Sequence, residues 1–249
     1  MTPAITGAGL WCSDVTKGFV ARAANAAFDW LCLDLQHGRI AADDAFEFIS
    51  ALPSAAPPVA IRVASNDAAR IGAALDSGAD AVIVPSVSSA AEAARAVDAT
   101  FYPPLGTRSW GQYAALAGGV GRPAPEVNSE VLCAVMIETI GGYREVEAIA
   151  TVTGVGMLFV GPYDLALALD TTVEGLLADG VVLRRIVNIA RRRGIGIGAF
   201  AGNPTAARRF GELGYECLAI ADDSFLIAAG ATAALEAFRA PRASLPASS

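Results

Sequence analysis

Eight short apolar runs, each followed by an amphipathic segment, alternate along this chain. The runs are Ala8–Cys12, Trp30–Leu35, Val59–Val63, Ala81–Pro85, Leu132–Glu138, Met157–Val160, Gly196–Phe200 and Cys217–Ala221. Each is brief and rich in Val, Ile, Leu or Phe without strict alternation, which is how strands buried on both faces read. The segments Thr16–Ala26, Asp43–Ala51, Asp67–Ser77, Ala90–Asp98, Gly142–Ala150, Val181–Arg193, Thr205–Leu213 and Ser224–Phe238 predict helices. Several open on capping residues, such as Asp67 after Asn66, and several stop at a glycine before the next strand: Gly78, Gly194 and Gly214.

Eight β–α pairs in strict alternation predict an α/β fold, a single-domain (β/α)8 TIM barrel over residues 1–249. An open doubly wound sheet is the alternative, but a GxGxxG turn after the first strand is missing. Thr100–Glu130 interrupts the alternation. It is rich in Pro, Gly and aromatic residues, and it predicts an extended functional loop over the barrel mouth. The tail Pro241–Ser249 is expected to be disordered.

The chain is 54% hydrophobic, so a sizeable core is expected. A net charge of −7 argues against nucleic acid as a main partner, while leaving room for a small anionic substrate. No apolar run is long enough to span a bilayer, and no signal peptide is visible at the N-terminus. Cys12, Cys32, Cys133 and Cys217 are far apart with no CxxC pair. They read as buried free thiols of a cytoplasmic protein, not as a disulfide framework or zinc site. Lys17 is the only lysine and falls at the start of the first helix, so Schiff-base chemistry has a single, poorly placed candidate.

In a barrel of this kind the active site lies at the C-terminal ends of the strands. Strand two ends in Asp34 and His37, strand three in Arg62, strand five in Glu138, and strand six leads into Gly161-Pro162-Tyr163-Asp164. His37 is the only histidine, and histidine is the side chain best suited to proton transfer near neutral pH. Its alternative is a satisfied histidine that merely fixes the loop. Asp34 is close enough in sequence to orient it. Glu138 and Asp164 lie about one βα unit apart and suit a hard divalent cation such as Mg²⁺ or Mn²⁺; singly, each could instead cap a helix. Arg62 is either one half of a structural ion pair, with Asp34 or Asp67, or a donor to a developing oxyanion.

Five motifs in order then resemble a known family. They are Asp34-Leu35-Gln36-His37-Gly38, Arg62 with Asn66-Asp67, Tyr102-Pro103-Pro104-Leu105-Gly106-Thr107-Arg108-Ser109-Trp110-Gly111, Ile137-Glu138-Thr139 and Gly161-Pro162-Tyr163-Asp164-Leu165. From about Gly9 to about Ala229 the chain resembles the HpcH/HpaI aldolase family, whose typical members are 4-hydroxy-2-oxoheptanedioate and 2-dehydro-3-deoxyglucarate aldolases. The resemblance implies a class II pyruvate aldolase, a carbon–carbon lyase that cleaves a 4-hydroxy-2-oxo acid to pyruvate and an aldehyde. It implies Glu138 and Asp164 as ligands of Mg²⁺, Mn²⁺ or Co²⁺, His37 as proton acceptor and donor, and Arg62 as stabiliser of the enolate oxygen. It also implies a homo-oligomer, a trimer or hexamer, that exchanges its last helix between subunits.

A carboxylate that raises the basicity of the histidine aligns with Asp76, which the predicted topology places near the far end of helix three. Asp34 and Asp76 therefore both stand as partners of His37. The family's substrate-contacting glutamine aligns with Met136, and its small residue before the metal aspartate becomes Tyr163. Gly161, Pro162 and Tyr163 are expected to line the substrate site, backbone N–H groups near Pro162–Asp164 to hold the substrate carboxylate at a helix N-terminus, and the Thr100–Glu130 loop and Trp11 to shape the acceptor side. The rivals are a related metal-enolate lyase acting on a CoA ester or another 2-oxo acid, and a non-catalytic barrel that binds a 2-oxo acid.

Overall fold

The computed structural model describes residues 5–112 and 121–240. Eight parallel strands close into a barrel in chain order: β1 (Gly7–Cys12), β2 (Trp30–Asp34), β3 (Val59–Arg62), β4 (Ala81–Val84), β5 (Leu132–Ile137), β6 (Met157–Val160), β7 (Gly196–Phe200) and β8 (Cys217–Asp222), with β8 pairing back onto β1. The expected (β/α)8 barrel is therefore the fold. The helices of the wall begin with α1 (Lys17–Ala23), α2 (Ala45–Ser50), α3 (Ala68–Asp76), α4 (Ala90–Thr100) and α5 (Ala124–Glu130). They continue with α6 (Ile140–Arg144), α7 (Val146–Ile149), α8 (Pro162–Ala168), α9 (Val173–Asp179), α10 (Val181–Arg193), α11 (Pro204–Leu213) and α12 (Asp223–Arg239). Where one helix is expected over Gly142–Ala150, the chain makes the two short helices α6 and α7.

The strands lack an alternating polar pattern because both faces are covered. Leu31 and Leu33 on β2, Ile61 on β3, and Val135 and Ile137 on β5 point outward into the helix layer. Trp30, Cys32, Ala60, Ala134, Met136 and Phe159 point inward and fill the barrel, with Ile5 buried among them. Successive strand residues face opposite sides, so the next inward positions after Cys32, Ala60 and Met136 are Asp34, Arg62 and Glu138. The same parity that packs the barrel delivers three ionisable groups to its top layer. Small residues make room for the large ones: a side chain at Gly9 would overlap the Trp30 indole.

Local chemistry sets the helix ends. Thr16, Asp67, Ser89, Thr139, Thr172, Asn203 and Asp222 each accept a backbone N–H of the first turn that follows. Gly78, Gly194 and Gly214 take the left-handed conformation that ends a helix before the next strand.

The described parts of Thr100–Glu130 do not lie over the mouth. Tyr102 exchanges hydrogen bonds with Asn128 on α5 (2.8 and 2.9 Å), and Arg108 pairs with Asp76 at the end of α3 (2.6 Å). Leu132 N–H donates to Asp80 O at the start of β4 (3.0 Å). The cause is topological: α4 runs back from the mouth to the floor, so the described parts of the connection from α4 to β5 pack at the floor. The tail Pro241–Ser249, expected to be disordered, lies outside the described residues.

Among the described residues, the last helix is anchored at its start. Asp223 is buried and accepts the N–H groups of Ser13 (2.8 Å) and Asp14 (3.1 Å), which ties α12 to the exit of β1. Further along, Ile227, Leu235 and Phe238 are exposed. Among the described residues, no helix is long and apolar enough to cross a membrane.

The glycines give a direct test of barrel packing. Gly9→Ala is expected to lower stability by about 1–3 kcal/mol through overpacking against Trp30. Gly72→Ala, in α3 with open space around it, is expected to raise stability by up to about 1 kcal/mol. Urea midpoints that move together for the two variants would contradict this account.

Candidate active site

The top inward layer begins with a buried ion pair. Asp34 at the end of β2 is level with Arg62 at the end of β3. Arg62 Nε donates to Asp34 Oδ1 (2.8 Å) and Arg62 Nη2 to Asp34 Oδ2 (2.5 Å), a two-pronged fork between two buried side chains. Asp34 Oδ2 also accepts the Trp11 indole N–H (3.2 Å) and the Ser13 hydroxyl (3.5 Å). Asp34 Oδ1 accepts the backbone N–H groups of Gln36 (3.0 Å) and His37 (3.2 Å). Burial pushes the Asp34 carboxyl up, but the Arg62 fork and charge and the two backbone donors outweigh it and hold the group below its ordinary value. The guanidinium lies 5.1 Å from the Trp11 ring centroid.

Of the two carboxylates offered as partners of Arg62, Asp34 is the one it pairs with, while Asp67 caps α3 instead. It also shows what Asp34 does for His37: it holds the histidine's backbone N–H and so fixes the turn. Gly38 completes that turn, because a side chain there would strike the carbonyls of Asp34 and Ser13.

Glu138 follows β5 and is buried. Its Oε1 accepts the Ser86 N–H (2.6 Å) and, more loosely, the Ser86 hydroxyl (3.3 Å). Ser86 takes a positive φ of 57°, which turns its N–H toward Glu138. Burial, joined by the charge of Asp164, pushes the Glu138 carboxyl above its ordinary value. Glu138 does not cap α6; Thr139 does. Asp164 lies in the first turn of α8, behind Gly161 and Pro162. A side chain at Gly161 would collide with Glu138 Oε2, so glycine there lets the β6–α8 turn close on the carboxylate.

These groups share one cavity of about 360 Å³ at the barrel mouth. Its polar wall is Ser13, Asp34, His37, Arg62, Glu138 and Asp164. Its apolar wall is Trp11, Met136, Gly161, Pro162, Tyr163 and Phe200. Every candidate read from the sequence lies here except Asp76. That residue pairs with Arg108 on the floor side and does not reach His37 within one chain. Its placement follows from α3, which runs away from the mouth and ends at Asp76. Ser13, Ser86 and Phe200 are additions that a search of strand ends for ionisable groups passes over.

Glu138 and Asp164 are the pair that could take a metal. Both offer hard carboxylate oxygens, and Asp164 raises Glu138 by like-charge repulsion. The nearest cationic group on this wall, Arg62, is already engaged by Asp34. The donor set therefore fits a divalent cation. Among the described residues no three His, Cys, Asp or Glu side chains gather into a closed metal cage. A two-carboxylate site leaves coordination positions open to water and substrate oxygens.

Known proteins match this chain over nearly its whole length. The family profile of HpcH/HpaI aldolase/citrate lyase covers residues 8–229. A hydroxypyruvate/pyruvate aldolase of Paraburkholderia phytofirmans is 34% identical over 224 residues, 86% of each chain. A hydroxypyruvate/pyruvate aldolase of Pseudomonas aeruginosa is 36% identical over 233 residues, 88% of this chain and 83% of the other. A 4-hydroxy-2-oxovalerate aldolase of Novosphingobium aromaticivorans is 33% identical over 244 residues, 93% and 89% of the two chains. The crystal structure of an HpcH/HpaI aldolase/citrate lyase family protein from Burkholderia cenocepacia J2315 superposes with a TM-score of 0.86 at 30% identity, covering 95% of this chain and 96% of that one. With the fold, the mouth and these relatives in agreement, the chain belongs to the HpcH/HpaI aldolase/citrate lyase family and is a carbon–carbon lyase.

Proposed function

We propose that the protein is a class II pyruvate aldolase that reversibly cleaves a 4-hydroxy-2-oxo acid to pyruvate and an aldehyde. The observation that carries this reading is the convergence of His37, a rigidly held Arg62 and the Glu138–Asp164 pair on one cavity. Relatives named as pyruvate aldolases support it.

Glu138 and Asp164 would hold a divalent cation, Mg²⁺, Mn²⁺ or Co²⁺, which supplies Lewis-acid stabilisation to the keto oxygen of the substrate. Arg62 acts on the same developing charge. Cleavage of the C3–C4 bond leaves its electron pair on the pyruvate unit as an enolate. A guanidinium already fixed by Asp34 meets that charge without reorganising, and its remaining N–H donors are free of the fork. His37 takes the proton of the 4-hydroxyl, directly or through a water, as the aldehyde carbonyl forms. It returns a proton in the synthetic direction. Asp34 is a positioning residue for both partners, through the Arg62 fork and the His37 backbone. Ser86 positions Glu138 in the same sense.

A CoA ester would want further cationic groups at the mouth, and Arg62 is the one cationic side chain lining the cavity among the described residues. A barrel that only binds a 2-oxo acid has no use for a proton-transfer group. The four buried free thiols, with Cys12 pushed up by burial to about 12 and Cys133 to about 11, suit a reducing, cytoplasmic setting. The exposed apolar side chains of α12 support a homo-oligomer, a trimer or hexamer, in which this helix packs on another subunit.

Chelation with EDTA is expected to abolish pyruvate release from 4-hydroxy-2-oxo acids in a coupled assay, and Mg²⁺, Mn²⁺ or Co²⁺ to restore it. Glu138→Gln is expected to weaken Mn²⁺ binding by calorimetry at least about tenfold while circular dichroism stays barrel-like. Full activity after exhaustive chelation sinks the metal reading. Arg62→Lys keeps the charge but loses the fork, and kcat is expected to fall about 10²-fold; an unchanged kcat removes the role given to Arg62. Ile227→Asp combined with Phe238→Asp is expected to shift the size-exclusion peak to a smaller species, and an unaltered mass argues against packing through α12.

A further inference from the structure

The two walls of the cavity differ in more than polarity. Trp11, Phe200 and Tyr163 form a continuous aromatic shelf along one side. The Trp11 and Phe200 ring centroids lie 5.2 Å apart at 69°, and those of Phe200 and Tyr163 lie 6.0 Å apart at 52°. Trp11 is backed by Phe159 from inside the barrel at 5.8 Å. The shelf is thus rooted in the core at one end and open at the other, where Tyr163 is 55% exposed. Pro162 starts α8 just before Tyr163, and Gly202 lies beside the Phe200 ring and the Tyr163 hydroxyl, where a side chain would crowd Phe200.

Tyr163 also faces a second space. Beyond it lies a groove of about 380 Å³, bordered by Leu167, Val173, Leu177, Ala201 and Ala206. The tyrosine is the shared wall, so a chain leaving the cavity over the shelf enters a mostly apolar trough.

Charge sharpens the choice. Asp34, Glu138 and Asp164 line the cavity, against Arg62 alone among cationic groups of the described residues. Arg62 is committed to Asp34. Arg39, two residues past His37, is exposed, lies nearest Asp14 (3.8 Å), and does not line the cavity. A bound divalent cation would offset the negative excess and meet the pyruvate carboxylate. Among the described residues of the chain no cation then remains in the cavity lining for a second carboxylate, a sulfonate or a phosphate on the other half of the substrate.

We propose that the acceptor of this aldolase is an uncharged aldehyde whose alkyl or aryl group lies on the Phe200–Tyr163 shelf. The inference rests on the pyruvate aldolase reading. In the bond-forming direction, C3 of the pyruvate enolate joins the aldehyde carbon, and the aldehyde oxygen takes one proton to become the 4-hydroxyl. Only the substituent on that carbon touches the shelf. Stacking on it favours a flat or extended apolar group over an anion.

The test uses the metal-loaded protein in two arms. The first follows exchange of the pyruvate methyl protons in D₂O by NMR, with no aldehyde present. The second compares kcat/KM for condensation of pyruvate with benzaldehyde, hexanal, glyceraldehyde and succinate semialdehyde. Benzaldehyde or hexanal is expected to exceed succinate semialdehyde at least about tenfold. Tyr163→Ala is expected to shrink that ratio about tenfold, Phe200→Ala to shrink it as well, and Tyr163→Phe to preserve it. Exchange accompanied by a preference for succinate semialdehyde, by no condensation with either apolar aldehyde, or by a ratio indifferent to Tyr163→Ala, overturns the inference and leaves the aldolase reading standing. Absence of exchange overturns both.

Discussion

The buried fork between Asp34 and Arg62 is the interaction on which the mouth of this barrel depends. It joins β2 to β3 directly, and through the second set of bonds to Asp34 it reaches Trp11 and Ser13 on the β1 side and the Gln36–His37 turn. Two desolvated charges are expensive, and such a pair is weak evidence for stability on its own. Removing one partner, by contrast, leaves the other charge stranded, at about 3–5 kcal/mol. Asp34 avoids that cost because every donor around it points at the carboxylate, which is why its carboxyl sits below its ordinary value despite burial. The consequence is geometric: a guanidinium and a histidine backbone are both referenced to one carboxylate at the end of one strand.

On the other side of the cavity the balance of charge reverses. Glu138 is pushed up by burial and by Asp164, and the groups that hold it, the Ser86 N–H and hydroxyl, are neutral. A carboxylate kept buried, oriented by a backbone in a left-handed conformation and faced by a second carboxylate, is a site made for a positive charge. The polar wall therefore has two halves with opposite needs. One has its cation built in as Arg62, and the other is suited to an exchangeable one. On the proposed aldolase reading, a 2-oxo acid becoming an enolate would span both halves, with its negative charge growing between them.

Much of this was legible in the sequence because strand ends and barrel parity are simple rules. Asp34, Arg62 and Glu138 follow short apolar runs, and each continues the inward-facing register of its strand. What stayed hidden has identifiable causes. Ser86 contributes mainly a backbone N–H, which carries no side-chain signature at all. Phe200 ends a strand as an ordinary apolar residue, and only the ring contacts reveal it as a wall of the site. The Thr100–Glu130 segment carried the look of an active-site loop, with its prolines, glycines and aromatic residues. Composition says nothing about which end of the barrel a loop crosses; that is decided by the element before it. A connection that follows a helix crosses the floor, and Asp76, at the end of α3, is held there by Arg108.

The division between the two walls has a mechanical meaning. The groups that would handle the pyruvate unit come from β2, β3, β5 and the start of α8. The shelf comes from β1, β7 and the residue just before Asp164, and among its side chains only Trp11 touches the Asp34–Arg62 fork. Tyr163 and Phe200 can therefore change shape without disturbing the charge network that the chemistry uses. Trp11 cannot, because its indole N–H is spent on Asp34 and its ring lies against the guanidinium. On the proposed reading, acceptor choice would accordingly be concentrated in the outer two rings, where the shelf opens toward the groove beyond Tyr163.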